Sequence, residues 1–406
     1  MGERGGAEAR TPRHSASRGS HRLLTGFTWL LAAAAGFGLV FTQTFSAKWD
    51  STVTTTDIDP LLGPDRPAPP PPPTDGSSGR ALNILLIGSD DRSGGNAAIG
   101  GEEDGKRSDT TLIMHISADR SRIDVVSIPR DTMVNLSECQ RSDGSTQKPY
   151  YGQFNEAYSN GLRTTDLESD GAACTMRTVE GITDIRFDHY AVIDFVGFVN
   201  MVEAVGGVPM CIPVEYADPY SGTYLQPGPQ KLDGRQAVNY VRMRKGLNTN
   251  GGDLDRIDRQ QEFLKNLASK VLSAEMLYRP QDITNFIKAV AGSLTLDEEL
   301  GGLDYMAGLA FSLRSLNPST DITFATAPVM DDPDHRFRLI LTSKAPAVWD
   351  ALRADQPIAP LLDAQSSSPA NDDGVAPAAP TTGTPDATGG SQAATEQEIL
   401  DACSVG

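Results

Sequence analysis

"LNILLIG", Leu82–Gly88, is an apolar run closed by glycine, and similar runs recur along the chain. They are "TTLIMHIS" (Thr110–Ser117), "RIDVVSIP" (Arg122–Pro129), "HYAVIDF" (His189–Phe195) and "GVPMCIPV" (Gly207–Val214). Short, breaker-bounded runs rich in Ile, Val and Leu read as buried strands. Helical spacing of apolar residues is found over 194–205, 233–241, 256–272, 284–294 and 303–316. Strands interleaved with helices predict an α/β sheet covered by helices on both faces. Such sheets bind ligands beyond the carboxyl ends of their strands.

Those ends are charged. Asp90, Asp91 and Arg92 follow the first run, Arg107 and Asp109 precede the second, and Arg130 and Asp131 follow the third. Asp and Arg beside turns are common as caps or surface pairs. Three clusters at strand ends, joined by a fourth, favour a site. The fourth is "VNYVRMRKGLNTNGGDLDRIDRQQ" (Val238–Gln261), which crowds five fixed cations into a chain of net charge −18. Arg242 and Arg244 lie two apart on a segment expected to be extended, so they point to one side. Arg256, Arg259 and Gln260 share a flank near a helix start, where the dipole favours an anion. Guanidinium forks suit phosphate oxygens. For Arg259 and Lys245, surface pairing with Asp253, Asp255 and Asp258 is the alternative. The overall acidity argues against nucleic acid, which needs a broad basic surface.

Outside the predicted domain (81–354) the composition changes. Residues 1–22 hold five arginines against Glu3 and Glu8, and 23–45, "LLTGFTWLLAAAAGFGLVFTQTF", carry no charge. As a helix the latter would span about 34 Å, enough to cross a hydrocarbon core. The flanking charges place the N-terminus in the cytoplasm and the rest outside the cell membrane. Residues 46–80, with "APPPPPT", read as a Pro-rich stalk, and 355–406, without Lys or Arg, as a disordered acidic tail.

In order, "NILLIGSDDR", "KRSDTTLIM", "VSIPRDT", "FNEAY", "DHYAVIDFVGFVNMVEAVGGV", "LDGRQAVNYVRMRK" and "GDLDRIDRQQ" closely resemble the LytR-CpsA-Psr family of wall-polymer ligases. The likeness runs from about Leu82 to Leu272. It implies a mixed central sheet in a three-layer sandwich, behind a single N-terminal transmembrane helix. It implies transfer of a glycopolymer from a polyprenyl-diphosphate carrier to peptidoglycan, leaving a phosphodiester, assisted by Mg²⁺ (or Mn²⁺). Carried over by position, Asp90 and Asp109 are metal ligands, and Arg107, Arg130, Arg242, Arg244, Arg256 and Gln260 hold the diphosphate. Arg130 and Asp131 are the implied catalytic pair, and Asp253 orients the arginines, as Asp131 also does. One position departs: Gln153 stands where the family commonly has Lys. The resemblance also favours a Cys174–Cys211 bridge among the four cysteines, Cys139, Cys174, Cys211 and Cys403. The implied partners are the lipid-linked polymer, peptidoglycan and membrane lipid. A diphosphate hydrolase and a non-catalytic lipid- or glycan-binding module are the alternatives. No CxxC, P-loop or GxSxG motif is present.

Overall fold

The computed structural model describes residues 53–69, 79–92, 94–100, 107–219, 221–249, 251–273, 294–366 and 403. Strands are numbered along the chain. β1 (Thr54–Thr55), β2 (Leu82–Ser89), β3 (Ser108–Ile116), β4 (Ile123–Ser127), β9 (His189–Ile193), β14 (Leu294–Leu296) and β15 (Ile322–Thr326) form one sheet. Their order is β1-β14-β9-β2-β3-β4-β15. β2 runs antiparallel to β3 and parallel to β9, so the sheet is mixed, as the resemblance implied.

Period-two geometry divides β2 between two jobs. Leu85 sits opposite Ile113 on β3 and Tyr190 on β9, all fully buried. With Ile87, Val126 and Val192 they pack into a core roofed by helices Glu168–Thr183 and Ala345–Arg353. Leu86, opposite Leu112 and Ala191, faces the other way, into a cavity. Helices Phe195–Ala204, Gly234–Arg242 and Asp253–Val271 cover that side.

Local chemistry starts these helices where the site needs them. Asp194 ends β9 as an N-cap, its Oδ1 accepting from Gly197 N at 2.7 Å. Asp233 and Gln236 form a capping box at the start of Gly234–Arg242. Gly234 lets that helix approach its neighbour closely, since a Cβ there would lie 2.6 Å from Val199 O. The run at 207–214 is a strand but not of the central sheet. It forms β10 (Val208–Ile212), paired antiparallel with β13 (Gly228–Leu232), and closes a second core with Phe263 and Leu267. Four smaller pairs complete the strands. They are β5 (Met133–Leu136) with β8 (Tyr150–Gln153), β6 (Cys139–Gln140) with β7 (Thr146–Gln147), β11 (Tyr216–Asp218) with β12 (Thr223–Leu225), and β16 (Val329–Asp331) with β17 (Leu339–Leu341).

Three expectations need correction. The expected stalk is folded at its start: β1 pairs with β14, Ile58 and Leu62 are buried, and Arg66 donates to Glu180 and to Phe187 O. Apolar residues two turns before the prolines outweigh the composition. The expected tail also begins inside the fold. Asp355 accepts from Arg122 Nη2 (2.9 Å), His115 Nε2 (3.0 Å) and Ala118 N (3.0 Å), and Ile358 is fully buried. Finally, Cys139 pairs with Cys174 and Cys211 with Cys403, not Cys174 with Cys211. Cys174 is buried on helix Glu168–Thr183, which roofs the first core, and Cys211 lies on β10, a strand of the second, so the favoured bridge does not form. Among the described residues no helix is long and apolar enough to cross a membrane, and the expected span at 23–45 lies outside them. The helix expected over 284–294 also lies outside them, except for its last residue, which is in β14.

Burial pushes the Asp355 carboxyl up, but His115, Ala118 N and Arg122 outweigh it and hold it below its usual value. Its contribution is therefore complete above the unfolded carboxylate pKa of about 3.9 and is lost as pH falls through the lower folded value. Asp355→Asn should cost about 1–3 kcal/mol at pH 7. Urea denaturation should show the gap from the parent narrowing at pH 3.

Candidate functional site

Helix Asp253–Val271 starts behind Gly252, and its first turn carries Asp253 and Arg256. The Ile257, Phe263 and Leu267 stripe anchors it, so the Arg256 side chain is almost wholly buried. Its Nη2 lies 2.6 Å from Asp253 Oδ1 and donates to Asp109 O at 2.9 Å. Its Nη1 lies 3.5 Å from Asp109 Oδ2. Asp109 opens β3. Arg130, just past β4, donates from Nη1 to Asp109 Oδ1 at 2.5 Å. Arg130 Nε lies 3.5 Å from Asp131 Oδ2 and 3.6 Å from Asp253 Oδ1. Three segments far apart in the chain thus meet in one alternating array of charge.

Burial opposes charge on all three groups at its centre, and the arginines outweigh it at Asp109 alone. Desolvation pushes Asp109 up, but Arg256, Arg130 and then Arg244 pull it below the usual carboxylate range, so it stays ionised. Asp253, deeper, is left raised by burial despite Arg256 and Arg130. Arg256 is lowered by burial, against Asp253 and Asp109. The Nε atoms of Arg130, Arg244 and Arg256 are buried without a hydrogen-bond partner. Orphaned buried donors are costly, and oxyanions are the groups that satisfy several guanidiniums together.

A cavity of about 270 Å³ opens beside this array. Leu86, Leu112, Phe198, Met201, Val241 and Leu264 are among its apolar walls, and Asp90, Asp109, Arg242, Arg256 and Gln260 are among its polar lining. Arg242 is held by Ile99 O (3.1 Å) and Gly100 O (3.3 Å), with its guanidinium 4.1 Å from the Phe195 ring centre. Gln260 Nε2 donates to Val241 O at 3.0 Å.

Asp90, Asp109, Arg242, Arg256 and Gln260 therefore share one cavity; Arg130, Asp131, Arg244 and Asp253 gather behind Asp109 and Arg256. Arg107 does not join them by its side chain, which is exposed; its carbonyl accepts from Asp90 N at 2.8 Å. Arg259 turns away from Arg256, to Asp255 (2.6 Å) and Met243 O (2.5 Å). Two further arginines reach the site residues. Arg92, named in the first charge cluster but given no role, grips both oxygens of Asp90 at 2.9 and 3.0 Å. Arg338 meets Asp131 at 3.8 Å from the far end of the domain, where no local spacing announces it. Asp90 and Asp109 both line the cavity with their carboxylates engaged by Arg92, Arg130 and Arg256, and a hard divalent cation takes one or two carboxylates together with phosphate oxygens. Among the described residues no cluster of three or more His, Cys, Asp or Glu could hold a metal alone. Substrate oxygens would have to complete the shell.

The LytR_cpsA_psr family model matches residues 49–336, most of the chain, and the chain belongs to this family. It is 34% identical over 241 residues to the cell wall biosynthesis protein LcpA of Corynebacterium glutamicum, covering 56% of this chain and 44% of that one. It is 32% identical over 173 residues to TagV of Bacillus subtilis, a polyisoprenyl-teichoic acid–peptidoglycan teichoic acid transferase, covering 41% of this chain and 40% of that one. The chain thus spans less than half the length of these relatives. The fold is that of the B. subtilis TagV crystal structure (TM-score 0.51, 23% identity, 68% of this chain and 98% of that one). It is likewise that of a TagT structure bound to LI-WTA (TM-score 0.50, 22% identity, 73% of this chain and 98% of that one).

Breaking a buried pair strands the remaining charge. Arg256→Ala should therefore cost about 3–5 kcal/mol in chemical denaturation. Arg244→Ala, which leaves no buried carboxylate alone, should stay within about 1 kcal/mol of the parent.

Proposed function

We propose that the protein is a phosphotransferase that moves a glycopolymer from a polyprenyl-diphosphate carrier to peptidoglycan. The observation that carries this reading is an apolar cavity ending on converged guanidiniums and an ionised carboxylate. A prenyl diphosphate is apolar at one end and doubly anionic at the other, and this site has the same polarity. Apolar walls take the lipid, while Arg130, Arg242, Arg244 and Arg256 take the phosphates. The names of LcpA and TagV, and TagT's bound LI-WTA, support the assignment.

The reaction in this reading is one displacement. A sugar hydroxyl oxygen of peptidoglycan bonds to the polymer-side phosphorus, and the bond from that phosphorus to the bridging oxygen breaks. Polyprenyl monophosphate leaves with the electron pair. The hydroxyl proton passes to the Asp131 carboxylate, since Asp109 is held ionised by its arginines and Asp253 is sealed beneath two of them. The guanidiniums accelerate transfer to the extent that their bonds tighten as charge moves onto the leaving phosphate. Asp90 and Asp109 would hold Mg²⁺ or Mn²⁺, which when bound neutralises phosphate charge. Arg107, exposed at the rim, meets the substrate only from outside the cavity. The segment 23–45 anchors the protein in the membrane with the domain on the outer side, next to its lipid substrate.

The test is the full-length protein in detergent with Mg²⁺, a prenyl-diphosphate-linked saccharide and peptidoglycan. Coupled product is expected, and Arg130→Ala should reduce its rate by about 10²–10³-fold. Free phosphorylated saccharide without coupling would instead identify a hydrolase, and tight binding without turnover a binding module.

A further inference from the structure

The loop between β16 and β17 returns to the site in an unusual way. Phe337, the residue before Arg338, has φ +63° and is 77% exposed. A bulky residue in the left-handed region is strained, and nothing is gained there by burying its ring. What the loop does achieve is the placement of Arg338. Asp332 N donates to Arg338 O (2.8 Å), Arg338 N to His335 O (3.2 Å), and Leu339 N to Asp131 O (3.2 Å). A further bridge joins Thr132 to Leu339. The main chain of Arg338 is thereby fixed to the segment that carries Arg130 and Asp131.

The side chain continues the connection. Arg338 Nη1 lies 3.8 Å from Asp131 Oδ1, while Asp131 Oδ2 lies 3.5 Å from Arg130 Nε. On its other side, with the Gln153 amide oxygen turned toward it, Arg338 donates from Nε (2.5 Å), Nη1 (3.2 Å) and Nη2. Gln153 ends β8, whose partner β5 starts just after Asp131. The loop's own acids do not compensate Arg338: Asp332 is taken by His335 at 2.8 Å, and Asp331 and Asp334 are exposed.

We propose that Arg338, which lies outside the family-matched residues, is a positioning residue of the transfer site. It holds one oxygen of Asp131 so that the other faces Arg130, and it supplies the positive charge that neutral Gln153 does not. Without it, Asp131 is free to swing onto Arg130 and compete with phosphate for that guanidinium. The inference deepens the proposed function and rests on it for its kinetic consequence, though not for its structural one.

Two measurements on the full-length protein test it. In the coupling assay, Arg338→Gln should lower kcat about tenfold or more with the KM for lipid-linked saccharide changed less than about twofold. Adding Gln153→Lys to that variant, which puts a cation back at the same spot, should restore most of the rate. In ¹⁵N-arginine NMR, Arg338→Gln should slow hydrogen exchange at Arg130 Nε–H, because Asp131 then closes onto it, and the double variant should speed it again. Parent-like kcat and exchange in a folded Arg338→Gln variant would overturn the inference, as would a loss that Gln153→Lys fails to repair. A parent that couples nothing removes the transferase reading, and the exchange result then decides the position of Arg338 by itself.

Discussion

An arginine cannot be buried without company, and Arg256 is among the most deeply buried side chains of the protein. Its charge demands carboxylates at close range. Asp253 comes from one helical turn earlier, and Asp109 from the start of a strand 147 residues away. Arg130 then joins because Asp109 has a second oxygen to offer. The helix start, the opening of β3 and the loop after β4 are thus tied together by one electrostatic requirement. The cavity inherits its polar end from this knot, and its apolar walls from the sheet and helices that the knot holds in register.

Much of this was legible in the chain. The runs at Leu82, Thr110, Arg122 and His189 became neighbouring strands because apolar residues bounded by breakers have few other stable arrangements. Asp109 and Arg256 could be placed because they stand at element ends, where local pattern and site coincide. The misreadings share another cause. Arg66, Asp355 and Arg338 act through Glu180, Arg122 and Asp131, each more than 110 residues away. A Pro-rich or acidic average over dozens of residues conceals a single buried Ile58 or Ile358. The cysteine pairing failed likewise, since three connectivities were open and only the packing of the helix carrying Cys174 against Cys139 chooses among them.

The glutamine at 153 was the one visible departure from the family pattern, and it reads differently in three dimensions. In sequence it is a lost charge. In the fold it is a neutral seat for a guanidinium arriving from the β16–β17 loop. A site's chemistry can keep its sign while the residue supplying it moves to another part of the chain. Position-by-position comparison therefore picks out Arg256 and Asp109 and passes over Arg338.

Consider again the alternation along β2. Leu85 belongs to the sealed interior, Leu86 and Gly88 border the space beside the arginines, and Ile87 touches both. One strand thus answers to two selective pressures. Drift at the even positions can retune which chain length or branching of guest is welcome, with the scaffold untouched. Leu85 has no such freedom, so diversification among related molecules would be written at the positions that border the space.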